Sequence, residues 1–299
     1  MIQVRRLGHV IFETPDVERQ AAYYAEVMGL QLQRDGKRAI LSSAVGEEAI
    51  VFKPGSAARL TTIALQVAPE TEFSRIDAAL REHGAKVERR SDISPALAAA
   101  VVFTDPKGTE VELYTESKLI DAKPVGGISP HKLGHVASLV PDAKAVSDFY
   151  CKALGFRVSD WIEDYFAFLR CGPDHHTMNF ITGNGSFMHH YAFQLNDWTH
   201  LQKACDVLAR HKRPLIWGPG RHGVGHNVFV YHRDPDDHII ELFAEMDQMN
   251  DESLGYFEPR PWHSDHPQRP KVWERKFAAM TWGPPPTPDF LRNQSRTAH

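Results

Sequence analysis

No stretch of the 299-residue sequence is apolar for the length of a membrane span, and the opening MIQVRRLGHVIFETPD is charged early and lacks the apolar core of a secretory leader. A membrane protein is not expected, and the cytoplasm is the expected location. Cysteine is scarce: Cys151, Cys171 and Cys205 are odd in number and widely spaced, which argues against a disulfide framework and for free thiols packed as small hydrophobes. Neither sign of charge dominates. With a formal net charge of -4 and 24% charged residues, there is no basic field for nucleic acid and no acidic tail. Nucleic-acid partners are therefore not expected.

Histidine is abundant, with 17 in the chain, although several lie in tail contexts and number alone signals no metal. More informative is an internal duplication. LGHVIFETPDVERQAAYYAEVMGLQL from Leu7 reappears as LGHVASLVPDAKAVSDFYCKALGFRV from Leu133, aligning His9 with His135, Tyr24 with Tyr150 and Gly29 with Gly155. Two further blocks keep the same order: IALQVAPE from Ile63 against YAFQLNDW from Tyr191, and DPKGTEVELY from Asp105 against DPDDHIIELF from Asp234.

Each half reads as two copies of one pattern. A strand is followed by a Pro-Asp signal that can cap a helix, then a helix of about three turns, then period-two strands. In one such helix Ala145, Val146, Phe149, Tyr150, Ala153 and Leu154 form the apolar stripe, and Gly155 stands where a left-handed terminator belongs. The plan is βαβββ, four times over. The expected class is α+β, with two tandem domains of two βαβββ modules, each domain forming a cupped mixed sheet. The boundaries expected are a degenerate domain over 1–120, a catalytic domain over 131–248, and a tail over 249–299 that packs back near the site or a subunit interface. The Pro- and Gly-containing DAKPVGGISP between the domains is the linker.

Overlaying the halves singles out the chemistry. His135, His190 and Glu241 correspond to His9, Thr62 and Glu112, so only the second half has two imidazoles and a carboxylate. That set is the facial triad of non-haem Fe(II) sites, which leaves positions open for an organic substrate and O₂. Of the adjacent histidines, His190 is the ligand because it precedes YAF as His135 precedes VAS, and His189 points away as an outer partner.

The second half, with DHHTMNF, GNGSFMHHYAF, GPGRHG and VFVYHRDPDDHIIELF, resembles the type I extradiol ring-cleaving dioxygenases of the vicinal oxygen chelate superfamily. The resemblance implies a catecholic substrate cleaved beside one hydroxyl with O₂, and iron, or manganese in some relatives, on His135, His190 and Glu241. It puts His176 at the acid–base position and His222 and Tyr231 at substrate-side hydrogen-bonding positions, with a ring N–H of His222 expected toward the substrate. His175 and His226 are read as structural neighbours. A homo-oligomer is implied, with a tetramer favoured.

Two departures bear on the substrate. Trp217 stands where relatives handling carboxylated catechols carry an arginine, and Ala137 has no hydrogen-bonding side chain. An apolar or lightly substituted catechol is expected, contacted by Trp217, unless Arg260, Arg269 or Arg275 reaches the pocket; Trp262 and Trp273 are candidates for an apolar lid. The competing readings are a glyoxalase-like lyase or isomerase, which would use Glu112, and a non-enzymatic small-molecule binder.

Overall fold

The computed structural model describes residues 2–123, 126–258 and 267–292; Arg260 and Trp262 lie outside the described residues. The βαβββ unit occurs four times. The first module is β1 (Val4–Thr14), α1 (Val17–Glu26), β2 (Gln31–Asp35), β3 (Arg38–Ser42) and β4 (Glu48–Pro54). The second is β5 (Arg59–Val67), α2 (Phe73–Glu82), β6 (Val87–Ser91), β7 (Ala99–Thr104) and β8 (Glu110–Tyr114). The third is β9 (Lys132–Val140), α3 (Ala143–Leu154), β10 (Arg157–Ile162), β11 (Phe166–Arg170) and β12 (Met178–Thr182). The fourth is β13 (Phe187–Gln194), α4 (Trp198–Arg210), β14 (Trp217–Arg221), β15 (Val228–Arg233) and β16 (Ile239–Ala244). A tail strand β17 (Lys271–Trp273) and two short helices, α5 (Arg275–Ala278) and α6 (Pro288–Leu291), follow.

The modules pair into two mixed sheets, β2-β3-β4-β1-β5-β8-β7-β6 and β14-β15-β16-β13-β9-β12-β11-β10-β17. This is the expected α+β class, in two sheet-rich domains. The duplication extends to register. Ile11 pairs with Thr62 as Ala137 pairs with His190, and Ala64 pairs with Glu112 as Ala192 pairs with Glu241. Thr62 and His190 therefore hold equivalent positions in their sheets.

Local signals act as the sequence suggests. Asp142 accepts a hydrogen bond from the Ala145 N–H at 2.9 Å, satisfying an orphan donor of α3, and Gly155 ends that helix at φ 75°, a conformation costly for any residue with a Cβ. The buried face of α3 is Ala143, Val146, Ser147, Tyr150, Ala153 and Leu154. Ala145, expected in the apolar stripe, instead lies exposed in the capped first turn.

The two halves clasp one another reciprocally. Tyr150 of the second half donates to Asp105 Oδ2 of the first at 2.8 Å, and the equivalent Tyr24 of the first donates to Asp234 Oδ2 of the second at 3.2 Å. Each aspartate also caps its own turn: Asp105 Oδ1 accepts from the N–H of Lys107 and Thr109, and Asp234 Oδ1 from those of Asp236 and His238. The repeated Asp-Pro is thus a turn and also a latch. A hydrogen bond to a buried carboxylate contributes about 1.5–3 kcal/mol, so the pair of latches holds the halves in one orientation.

Candidate metal centre and cavity

Three adjacent strands build the centre. His135 on β9, His190 on β13 and Glu241 on β16 share one face, and Ala192 is the register partner of both His135 and Glu241. A methyl group between the flanking side chains leaves them room to converge. Nε2 of His135 lies 3.3 Å from Nε2 of His190 and 3.0 Å from Oε2 of Glu241, and the third edge, His190 to Glu241, is 3.3 Å. All three residues are buried, and they form the one group of this kind able to hold a metal ion among the described residues. An octahedral face with bonds of about 2.1–2.3 Å has edges of roughly 3.0–3.3 Å, so this donor triangle fits a divalent metal.

The surroundings favour ligand forms. Burial alone would raise the Glu241 carboxyl, but His135 and His190 beside it hold it well below the usual carboxylate range. Burial also lowers His190, keeping its imidazole neutral and able to bind a metal. Outer partners orient these groups. Asn227 Nδ2 donates to Glu241 Oε1 at 2.8 Å, Tyr231 donates to Oε2 at 2.8 Å, and His189 Nδ1 lies 2.7 Å from the Nδ1 of His190.

The triad opens on a cavity of about 410 Å³ in which His176, His222, Tyr231 and Trp217 all lie. His176 packs against His135 with ring centroids 4.4 Å apart, and its pKa is pushed well down by burial and by the neighbouring histidines. His222 Nδ1 is 2.7 Å from the Ala279 carbonyl, which only accepts, so that nitrogen carries the proton. Burial keeps the ring neutral. Its Nε2, 3.0 Å from the Tyr231 hydroxyl, is therefore a lone pair that competes with Glu241 for the one Tyr231 proton, which revises the expected N–H toward substrate. Trp217 stacks on Tyr231 at 5.4 Å and donates from Nε1 to the Pro284 carbonyl at 2.9 Å.

The remaining candidates separate. Arg275 lines the cavity and lies over the Tyr165 ring, whereas Arg269 is held by the Leu254 and Gly255 carbonyls. Trp273 does not line the cavity; its indole is fixed on Asp160 instead, so it forms no lid. His175 and His226 pair with Asp160 and Asp247 behind the cavity wall. Two residues were missed from sequence, Asn227 and the cavity-lining Asn179, which is buried with no partner for Oδ1. Alternation carried the signal: Asn227 continues the series Tyr231, Phe229, and Asn179 shares its face with Ile181.

The equivalent place in the first half behaves oppositely. His9 Nε2 lies 3.7 Å from Glu112 Oε2, and Thr62 turns its hydroxyl to Glu110. Burial pushes Glu112 up to about 7 and His9 down to about 4. A carboxyl raised above its unfolded value contributes stability below 4.5 that is lost as pH rises through about 7. Glu112→Gln is accordingly expected to stabilise the protein above pH 7, by up to about 3 kcal/mol, and to change little in mild acid. Urea unfolding at the two pH values checks this.

Comparison with known proteins agrees with this architecture. The model of the Glyoxalase/Bleomycin resistance protein/Dioxygenase superfamily matches residues 132–242, and a Glyoxalase-like domain model matches residues 9–114. The manganese-dependent 2,3-dihydroxybiphenyl 1,2-dioxygenase of Geobacillus genomosp. 3 is 24% identical over 91% of this chain and 94% of its own length. Metapyrocatechase 2 of Cupriavidus necator is 27% identical over 82% of each chain. Among solved structures, homoprotocatechuate 2,3-dioxygenase from Brevibacterium fuscum in complex with 3,4-dihydroxyphenylacetate matches with TM-score 0.83 and 25% identity, over 99% of this chain and 94% of that one. The Mn(II)-bound glyoxalase from Novosphingobium aromaticivorans matches with TM-score 0.84 and 22% identity, over 97% of this chain and 94% of that one, a likeness of fold. The chain belongs to the glyoxalase, bleomycin resistance protein and dioxygenase superfamily, as a member with two tandem domains whose curated relatives include catechol-cleaving dioxygenases.

Proposed function

We propose that the chain is an extradiol dioxygenase that opens the ring of a catecholic substrate with O₂, using a divalent metal on His135, His190 and Glu241. The observation that carries this reading is the buried donor triangle opening on a cavity walled by His176, His222 and Tyr231. A divalent metal held by His135, His190 and Glu241 would supply Lewis acidity to the catechol hydroxyls and a common site for diol and O₂. Iron is the favoured ion and manganese the alternative, since the donor set suits both.

The chain's own groups divide the remaining work. His176, neutral through burial, accepts a substrate hydroxyl proton and later returns one. Tyr231, whose hydroxyl burial holds protonated, turns its one proton from Glu241 to a substrate oxygen when substrate is bound, and His222 offers Nε2 as an acceptor. Trp217, Phe168 and Phe290 give the cavity apolar walls that exclude water. In this account residues 1–120 are scaffold, 131–248 catalytic, and the tail completes the cavity through Ala279, Pro286 and Phe290. The protein works in the cytoplasm as a homo-oligomer, with a tetramer favoured.

A lyase or isomerase reading has the weaker support. Glu112 lies in the other sheet beside His9, and Thr62 completes no second ligand set. It would also leave His176 and Tyr231 without a task.

Trp217 and the apolar walls favour alkyl- or unsubstituted catechols, while Arg275, lying over the Tyr165 ring, is the one Lys or Arg among the described lining residues with which a substrate carboxylate can pair. In metal-replete Arg275→Ala protein, kcat/KM for an alkylcatechol is expected to exceed that for a carboxylated catechol by about tenfold or more, since the carboxylate is then buried unpaired at a cost of over about 1.4 kcal/mol. A panel followed by O₂ uptake and by the absorbance of yellow products tests this. Binding without O₂ uptake across the whole panel would defeat the reading.

A further inference from the structure

Behind His176 runs a chain of hydrogen bonds that the reaction as described leaves unused. His176 Nδ1 lies 3.0 Å from His175 Nδ1, and His175 Nε2 lies 2.9 Å from Asp160 Oδ2. Asp160 and His175 are fully buried, and neither lines the cavity. Two more donors converge on the carboxylate: the Lys271 N–H on Oδ1 and the Trp273 indole N–H on Oδ2, both at 2.8 Å. The tail strand β17, paired with β10 at Asp160, thus seals the far end of the chain.

The near end is sealed too. Gly225, at φ 73°, packs over the junction of the two rings, where a Cβ would come within 3.1 Å of His175 Nδ1 and 3.3 Å of His176 Nδ1. The His175 N–H is bonded to the Asp247 carbonyl at 2.8 Å, so its backbone is fixed as well.

Hydrogen-bond logic then sets the protons. The Asp160 carboxyl already accepts from the Lys271 N–H and the Trp273 indole N–H and presents an oxygen acceptor to His175, so His175 carries its proton on Nε2. With that one proton on Nε2, His175 meets His176 with a lone pair at Nδ1, which can accept only if His176 carries its proton on Nδ1. We propose that Asp160 is a positioning residue: acting through His175, it fixes the His176 proton on Nδ1 and leaves Nε2 as the acceptor available to a substrate in the cavity. An aspartate setting the tautomer of a catalytic imidazole is known chemistry in serine hydrolases. Here a second histidine is interposed, and the tail supplies two of the donors that hold the carboxylate in place.

The catalytic consequence rests on the ring-cleavage reading, but the tautomer itself does not. The first measurement is therefore made on metal-free protein labelled with ¹⁵N-histidine, using long-range ¹H–¹⁵N correlations to see which His176 nitrogen is protonated. Wild type is expected to show Nδ1–H and a bare Nε2. Asp160→Asn and His175→Phe are expected to lose that preference. His175→Gln, whose amide can donate to Asp160 and accept from His176, is expected to keep it. In metal-replete protein, kcat should fall about 10–100-fold in the first two variants, with KM within about twofold and metal content unchanged, and His175→Gln should recover most of the loss. If Asp160→Asn does not hold its fold by circular dichroism, the two His175 variants decide. An unchanged His176 tautomer in His175→Phe, or a Gln variant no better than the Phe variant, would overturn the proposal.

Discussion

Glu241→Ala is expected to purify without stoichiometric metal and without ring-cleaving activity, while Glu112→Ala keeps both. The two glutamates hold the same register position in their sheets, each opposite an alanine, so the contrast tests surroundings and not secondary structure. Glu241 supplies one of three donors, and its loss leaves two neutral imidazoles with no charge to offset a dication. It also strands the Asn227 amide and the Tyr231 hydroxyl, which both donate to it. Loss of a donor exceeds the effect of an outer partner, about 10–100-fold in affinity, so a fall beyond 100-fold is expected. Glu112 has His9 beside it but Thr62 where the other sheet has His190, and alanine there relieves a buried carboxyl held up at about 7. Metal analysis after dialysis, with circular dichroism to confirm folding, reads the difference. Full metal occupancy in Glu241→Ala would move the centre elsewhere.

The second large effect is expected at His176. His176→Phe should retain metal, because the ring touches His135 only by packing and donates nothing to the triangle. Phenylalanine fills the same space against Phe168. What disappears is the imidazole that takes and returns a proton, a contribution of about 10²–10⁴ in rate. Catechol affinity should change little. Steady-state kinetics together with metal content checks this, and an unchanged kcat would remove His176 from the reaction.

Much of this was legible in the chain. The offset copies of LGHV, the Asp-Pro turns and the alternation in HHYAFQ determine strand register closely enough that His135, His190 and Glu241 fall on one face. Thr62 marked which half had kept the set. Pairings across long sequence separation were not legible. Nothing in the repeats says that Tyr24 latches Asp234 while Tyr150 latches Asp105, because a module's pattern does not reveal which module its helix will face. Asn227 and Asn179 were hidden for a different reason: alternation gives a face, but a lone amide carries no spacing motif. The tail was the least readable. Trp273 looked like a lid residue, yet β17 turns its indole onto Asp160, and His222 takes its tautomer from the Ala279 carbonyl, which no pattern near GPGRHG announces.

The central claim is that both atoms of O₂ enter the ring-opened product, and isotope labelling tests it most directly. Protein loaded with Fe(II) is mixed with a catechol under ¹⁸O₂ and the product weighed by mass spectrometry before exchange with water. The account predicts a product carrying two ¹⁸O atoms, formed with one O₂ consumed per catechol. An unlabelled product, or turnover that proceeds equally well without oxygen, would contradict it.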